Sequence, residues 1–195
     1  MLILGLNGSP NVNGGTAFLI NRILEKATEN GAQTQLINIP EAIVSAKTPF
    51  CTVCSNPCNK ACYKGTLLEE VFEKTIKADA LIIGSPVYFG LPSAQLKAFF
   101  DKTRVVRGEK RLIGKPCGFV SIGASRFGGQ ETTLKAMQTM ALVQGMTVIG
   151  SGHADYDAGH HGVCAVRDVF DDYTLSRCDS MAMRISTKLR VQSAT

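Results

Sequence analysis

The sequence predicts an α/β fold in which a doubly wound, five-stranded parallel sheet lies between two layers of helices. Short apolar runs alternate with segments of helical periodicity, and loops rich in glycine join the two. Right-handed crossover connections leave few other arrangements for five such strands. The 195 residues suit one domain. We expect it to span residues 1–195, with a cysteine-rich insertion at about 48–65.

The individual elements follow from the period of the apolar residues. The predicted strands are 2–6, 34–39, 80–84, 118–122 and 146–150. The predicted helices are 16–30, 68–76, 93–102, a helix carrying Leu134, Met137 and Ala141, and a closing helix 171–190 before a frayed tail. The third strand is apolar throughout, as expected where helices cover both faces of a sheet. Residues 151–167, which hold all three histidines, lack a clear period and are predicted as a loop.

Composition excludes several classes of protein. The net charge of +5 suits mild steering of an anionic ligand, but the basic residues do not form the stripe that binds nucleic acid. The first residues show no basic region, no long apolar segment and no cleavage site, so we expect a cytoplasmic protein without a membrane span. Thiols stay reduced in the cytoplasm, so the seven cysteines need an explanation other than structural disulfides.

The first of three unusual loops resembles a phosphate cradle in composition. Its hydroxyl and amide side chains are those of Ser9, Asn11, Asn13 and Thr16. Gly14 and Gly15 allow the backbone to approach a ligand closely, and a helix N-terminus, which favours anions, follows. A capped helix start is the alternative interpretation. Because no lysine precedes Thr16 and the glycine spacing is not that of a dinucleotide loop, a terminal monophosphate fits best.

The other two loops follow the third and fourth strands, at the sheet edge where α/β proteins bind ligands. Residues 85–90 place Tyr88 and Phe89 between a proline and a glycine. These rings suit packing against a flat heterocycle, or against a partner subunit or helix. Residues 123–130 are rich in glycine and carry Arg126, which suits the pyrimidine edge of a flavin or the phosphates of NAD(P)H, but needs no ligand if solvated.

Three motifs together resemble the NADPH-dependent FMN reductase superfamily. They are residues 8–16, residues 84–90 with Ser93-Ala94-Gln95-Leu96-Lys97 behind them, and residues 128–134. The resemblance spans nearly the whole chain and implies a flavodoxin-like fold and an FMN-dependent oxidoreductase, which takes electrons from NAD(P)H or a reduced ferredoxin-type protein. It also implies a homodimer or homotetramer with FMN near the subunit interface.

The same resemblance assigns the residues that contact FMN. The phosphate would be held by Ser9, Asn11, Asn13, Gly15 and Thr16. The isoalloxazine and ribityl chain would contact Pro86, Val87, Tyr88, Phe89 and Gly90. The other side of the ring would contact Gly123, Ser125, Gly128 and Gly129. No catalytic acid or base is expected, because backbone N–H groups can stabilise negative charge on the flavin.

A run of four cysteines, Cys51, Cys54, Cys58 and Cys62, interrupts the chain after the second strand in the pattern C-x2-C-x3-C-x3-C. It resembles the cluster of iron-sulfur flavoproteins, in which FMN and a [4Fe-4S] cluster exchange electrons, although their run is tighter between the second and third cysteines. Three interpretations remain open: an iron-sulfur cluster, a zinc site, and plain thiols or redox-active pairs. Cys117, in a predicted strand, is expected to be a buried apolar residue. Adjacent His160 and His161 suit a solvated loop better than a metal site.

Two other function classes were considered, of which one stays open. The protein could be a flavin-binding electron carrier with no substrate of its own, reduced by protein partners rather than by NAD(P)H. A receiver-like signalling domain is disfavoured, because it would need acidic residues where Asn7 and Gly8 follow the first strand.

Overall fold

The computed structural model describes residues 1–153 and 157–193 and confirms the α/β fold. The strands are β1 (Leu2–Asn7), β2 (Gln33–Asn38), β3 (Ala80–Pro86), β4 (Pro116–Gly123), β5 (Thr147–Val148), β6 (Ser151–His153), β7 (Asp157–His160) and β8 (Val163–Val166). The helices are α1 (Gly15–Glu29), α2 (Ile39–Ser45), α3 (Leu67–Lys77), α4 (Ala94–Lys102), α5 (Arg104–Gly108), α6 (Gln130–Val143) and α7 (Asp172–Ser193). Among the described helices, none is both long and apolar enough to cross a membrane.

The central sheet runs in the order β2-β1-β3-β4-β5 with parallel neighbours throughout. Alternate residues of each strand enter different cores, so that Ile3 packs under α1 and α7 while Leu4 packs under the helices of the other face. A two-pronged ion pair between Arg22 and Asp179, with both N–O distances 2.7 Å, joins α1 to α7. The result is the predicted three-layer arrangement, in which the carboxyl ends of β1, β3 and β4 share one edge.

The prediction of a loop at residues 151–167 is wrong, because three short strands lie within this range. β5 pairs with β4 only at Pro116 and Cys117, and the chain then leaves the sheet as the antiparallel pair β6-β7. β8 returns to pair with β4 from Val120 to Gly123. The fifth position of the sheet is therefore shared by two strands of two and four residues, which are too short to display a period.

The sequence analysis did not predict two short helices, α2 and α5. The predicted strand 146–150 is reduced to the two residues of β5, and other predicted bounds shifted slightly. The predicted strand 34–39 ends at Asn38, because Ile39 already begins α2, where a proline in the first turn favours the helical backbone. α5 has only five residues, fewer than two helical turns. The closing helix begins at Asp172 and continues to Ser193, so most of the expected frayed tail is helical, while residues 194–195 lie outside the described part.

A buried lysine closes the C-terminal end of α3. Lys115 is 9% exposed, and its Nζ donates hydrogen bonds to the carbonyl oxygens of Thr75 and Ile76 at 2.9 Å each and to that of Ala78. The last carbonyls of a helix have no partner inside the helix, so the ammonium supplies the missing donors. Burial lowers the pKa of Lys115 from 10.5 to about 8.

We expect Lys115→Met to lower the free energy of unfolding by about 1–3 kcal/mol, because buried carbonyls lose their donors. Between about pH 8 and 10.5 the unfolded chain binds more protons at Lys115 than the folded chain. The native protein should therefore gain stability relative to the variant as the pH rises through this window. Denaturant unfolding at several pH values, with exposed Lys110→Met as control, measures this difference. If the difference in the free energy of unfolding between the native protein and Lys115→Met does not change with pH, the lowered pKa of Lys115 is contradicted.

Candidate cofactor site

The first loop, residues 8–14, is shaped by a buried asparagine at the end of β1. The Asn7 side chain accepts a hydrogen bond from the Ser9 N–H at 3.1 Å and donates one to the Asn38 side-chain oxygen at 3.1 Å. The Ser9 hydroxyl accepts from the Asn11 N–H at 3.1 Å and keeps its own proton for another partner. Asn7 thus shapes the candidate phosphate loop, a role that the sequence analysis did not assign.

The start of α1 fits an anion. Gly14 is its N-cap and supplies no side-chain hydrogen bond. Within the described residues, the N–H groups of Gly15 and Thr16 have no acceptor, and the Thr16 hydroxyl has no partner although the residue is only 3% exposed. A Cβ at Gly15 would lie 2.7 Å from Cζ of Phe170, so a larger residue there would have to displace the Phe170 ring. An open helix end beside the unpartnered hydroxyl of a mostly buried threonine is a favourable site for phosphate.

The second loop, residues 86–91, ends in a tight turn. Tyr88 and Leu91 exchange backbone hydrogen bonds of 2.9 and 3.1 Å, and both residues between them have positive φ, 52° at Phe89 and 78° at Gly90. This is the backbone of a type I′ hairpin turn, in which asparagine or glycine is usual. An aromatic residue with positive φ is strained, and the Phe89 side chain is fully exposed, so contacts within the chain do not offset the cost.

The third loop, residues 123–129, meets the second one backbone to backbone. Gly129 has a φ of 91°, and a Cβ there would lie 3.1 Å from the Gly90 Cα and 3.4 Å from the Val87 side chain. The Val87 N–H also donates to the Ile122 carbonyl at 2.8 Å. A second aromatic residue, Phe127, has a φ of 57° and is 96% exposed. The glycines therefore keep open a narrow cradle that a side chain would fill.

The structure brings the three predicted loops together at the carboxyl edge of the sheet. The Gly8 N–H donates to the Gly84 carbonyl at 2.8 Å, which joins the first loop to the end of β3. The second and third loops touch at Gly90 and Gly129. The phosphate-binding and ring-binding residues predicted from sequence thus belong to one continuous surface.

Arg126 lies at the rim of a cleft of about 580 Å³, which the third loop, including Gly129 of the predicted ring site, lines together with β8 and the start of α7. Asp171 lies on the same rim and caps α7 by accepting from the Thr174 N–H at 2.8 Å. This hydrogen bond, and to a smaller extent the charge of Arg126, lowers the pKa of the Asp171 carboxyl. Contact of Arg126 with a flavin or with NAD(P)H therefore stays a prediction.

The four-cysteine segment fits a metal in chemistry but not in arrangement. All four residues are free thiols with at least partial exposure. The Lys47 N–H donates to the Cys62 carbonyl at 2.9 Å, and buried Tyr63 packs edge-on against Phe72. Across residues 1–153 and 157–193, no three histidine, cysteine or acidic side chains are grouped so that they could hold a metal ion. Thiolates suit zinc or an iron-sulfur cluster, yet the structure contains no preformed site for either.

Cys62 has an unusual neighbour that the sequence analysis missed. Lys102, at the end of α4, is 1% exposed, and its Nζ donates to the Cys62 Sγ at 3.3 Å. No carboxylate pairs with this ammonium in the part of the chain that the structure describes. A buried ammonium without a counter-charge is costly, so the environment of Lys102 favours a negatively charged partner beside it.

Two further cysteines lie in the core, and two of the histidines lie on the surface. Cys117 is buried as predicted, Cys178 is buried too, and burial raises the pKa of each thiol to about 12. His160 and His161 are exposed, and the His160 ring lies 3.4 Å from the Tyr173 hydroxyl. The side chain of His153 lies outside the described residues.

Comparison with protein families gives a match over most of the chain. Residues 1–160 match the model of the NADPH-dependent FMN reductase family. An iron-sulfur flavoprotein of Methanocaldococcus jannaschii is 36% identical over 165 residues, which cover 84% of this chain and 83% of that protein. An iron-sulfur flavoprotein of Methanosarcina thermophila is 34% identical over 151 residues, covering 77% and 78% of the two chains.

Solved structures agree on the fold. An NADH:FMN oxidoreductase in its apo form superposes with a TM-score of 0.71 at 19% identity, covering 96% of this chain and 89% of that one. A flavodoxin from the domain Archaea superposes with a TM-score of 0.61 at 17% identity, covering 97% and 99%. At these identities the likeness confirms the flavodoxin-like fold alone.

Proposed function

Because this chain belongs to the NADPH-dependent FMN reductase family and is an FMN-dependent oxidoreductase, we propose that it carries electrons from NAD(P)H or a reduced ferredoxin-type protein through FMN to an acceptor. One observation supports the site above all others: the open N-terminal end of α1, with the unpartnered Thr16 hydroxyl, adjoins two glycine loops that meet at Gly90 and Gly129. This surface suits a ligand with a phosphate at one end and a flat ring at the other.

FMN would be held by the residues that the sequence analysis assigned. The phosphate would accept hydrogen bonds from the Gly15 and Thr16 N–H groups and from the Ser9 and Thr16 hydroxyls. The loops of the ring site would hold the isoalloxazine by packing and by backbone contacts. In the described residues, the N–H groups of Phe89, Gly90 and Gly129 have no acceptor, so they are available to the polar edge of the ring.

When bound, FMN supplies the redox chemistry by accepting electrons from a donor and passing them on. The chain supplies orientation and electrostatics. Its unpartnered N–H groups favour negative charge near the ring, and the positive end of α1 favours the phosphate. No side chain of the three loops needs to act as an acid or base.

An absorption spectrum of purified, anaerobically handled protein tests this proposal, since bound FMN and bound iron-sulfur clusters absorb visibly. Addition of NAD(P)H should bleach the flavin absorbance. Rapid bleaching by a reduced ferredoxin with slow bleaching by NAD(P)H would favour the electron carrier instead. A protein that binds no FMN would exclude both functions.

A specific observation keeps the protein-donor route open. Residues 47–65 carry Lys47, Lys60 and Lys64 and no acidic residue. Arg104 donates from Nη1 to the Ser55 carbonyl at 3.0 Å, which joins the segment to α5 and its basic residues. A basic surface beside the cysteines suits an acidic electron-transfer protein, because opposite charges speed encounter and align the partners.

We further propose that the four cysteines hold an iron-sulfur cluster or zinc, with the segment closing around the metal. The density of four thiols in twelve residues supports this, and so does the buried charge of Lys102 beside Cys62. A metal bound by four thiolates is anionic overall, and a buried ammonium compensates that charge. The relatives named as iron-sulfur flavoproteins favour the cluster over zinc.

The exposed aromatic residues support a homodimer or homotetramer. Phe89 and Phe127 are nearly fully exposed in strained backbone conformations on neighbouring loops, and Tyr88 is 47% exposed. An exposed apolar patch at a ligand site marks an interaction surface. A second subunit that covers these rings would also exclude water from the flavin.

We expect Thr16→Val to weaken FMN binding by about 1.5–3 kcal/mol, the cost of losing a hydrogen bond to a charged group. Thr28→Val, which removes a hydroxyl near the other end of α1, is the matched control and should bind FMN normally. Fluorescence titration of the apoprotein measures both dissociation constants. An equal FMN dissociation constant for Thr16→Val and the native protein would contradict the assignment of Thr16 to the phosphate site.

Iron, acid-labile sulfide and zinc should be measured on anaerobic protein, since we expect the native chain to hold metal. Cys54→Ser, Cys58→Ser and Lys102→Met should each lower the metal content, the last because the counter-charge is lost, while FMN content stays unchanged. Cys164→Ser, outside the segment, should have no effect. Native protein that holds FMN but neither iron nor zinc would refute the metal proposal.

Self-association should depend on the second loop. We expect the FMN-bound native protein to be a dimer or tetramer at micromolar concentration by light scattering. Phe89→Asn should shift it toward the monomer without loss of stability, because asparagine relieves the strained turn. Exposed Phe50→Asn is the control. A monomeric native protein would argue against the interface.

A further inference from the structure

The motif Ser93–Lys97 belongs to the resemblance but has no part in the proposed contacts with FMN. Its first residue is fully buried and precedes α4. The Ser93 hydroxyl accepts a hydrogen bond from the Leu96 N–H at 3.2 Å, the ordinary role of a serine at a helix N-cap. This role alone accounts for a serine there, but it uses only the acceptor side of the hydroxyl.

The donor side of the same hydroxyl reaches a distant part of the chain. Ser93 Oγ donates to the Gly8 carbonyl at 2.6 Å, and no other donor reaches that carbonyl within the described residues. The Ser93 N–H donates to the Ser85 Oγ at 2.9 Å. One buried residue therefore links the first residue of the phosphate loop to the end of β3, where the ring-binding loop begins.

Gly8 has little freedom to move independently of this link. Its N–H is bonded to the Gly84 carbonyl, and a Cβ at Gly8 would lie 2.8 Å from the Leu96 Cβ. The phosphate loop is thus held between β3 and the first turn of α4. The hydroxyl of Ser93 closes this clamp, because it binds both the loop and the helix.

We propose that Ser93 is a positioning residue that fixes the spacing between the phosphate site and the ring site, an inference that rests on the proposed FMN site. FMN spans both sites, so its phosphate contributes fully to affinity only when the spacing matches the ligand. Riboflavin has the same ring and ribityl chain but no phosphate. Loss of the clamp should therefore weaken FMN binding more than riboflavin binding.

The test distinguishes the effect of the Ser93 hydroxyl on the Gly8 carbonyl from its effect as the N-cap of α4. Glycine caps helices nearly as well as serine, whereas alanine does not, and both remove the hydroxyl. Dissociation constants of FMN and riboflavin should be measured for the native protein, Ser93→Gly and Ser93→Ala, with the free energy of unfolding alongside. The control is Ser45→Gly, because Ser45 also accepts from a helix N–H, that of Leu68, and donates to a carbonyl, that of Ala42.

We expect the preference for FMN over riboflavin to fall about tenfold in both Ser93 variants, the effect of one lost buried hydrogen bond. Stability should fall more in Ser93→Ala than in Ser93→Gly, and Ser45→Gly should keep the native preference. If Ser93→Gly keeps the native preference for FMN over riboflavin, the inference is wrong. It is also wrong if the preference falls only in Ser93→Ala, in step with the free energy of unfolding. Either result would leave the proposed function standing. Native protein that does not bind FMN would overturn the proposed function as well.

Discussion

α1 lies against the sheet so closely that β3 has no room for a side chain at Gly84. A Cβ there would lie 2.7 Å from the Ile20 Cδ1 and 2.9 Å from the Thr16 Cγ2. Because the methyl group of Thr16 rests on this glycine, the first turn of α1 is fixed at the carboxyl edge. The Gly84 carbonyl also accepts from Gly8, so one residue positions both the helix and the loop before it. The location of the candidate phosphate site depends on this close approach.

Sequence patterns could predict the elements long enough to show a period. The stripe of Ile20, Ile23, Leu24 and Ala27 marks α1, and β3 is recognisable from its apolar residues alone. The patterns fail for short elements whose stability comes from distant partners. β8 has four residues, and it is a strand because it pairs with the second half of β4 after a hairpin. Nothing local in residues 163–166 specifies that pairing.

The residues of the candidate site also fall into two groups, those that sequence patterns could predict and those that they could not. The glycine, hydroxyl and aromatic residues of the three loops form unusual local compositions, so they could be identified from the sequence. The roles of Asn7, Ser93 and Lys102 could not, because no local pattern distinguishes these residues from other polar residues of the chain. Their roles come from contacts with residues far along the chain, such as Ser93 with Gly8 and Lys102 with Cys62. Sequence composition predicts the ligand contacts, while the residues that would position them became visible only in the fold.

The two buried lysines of this protein show how the surroundings decide between structure and function. Both Lys102 and Lys115 are at least nine-tenths buried. The ammonium of Lys115 meets three carbonyls at the end of α3, so its donors are satisfied by the backbone and its role is complete within the fold. The ammonium of Lys102 meets a single sulfur, a poor acceptor when neutral and a good counter-charge when anionic. In the proposed metal site, the thiolate-bound metal would balance the charge of Lys102.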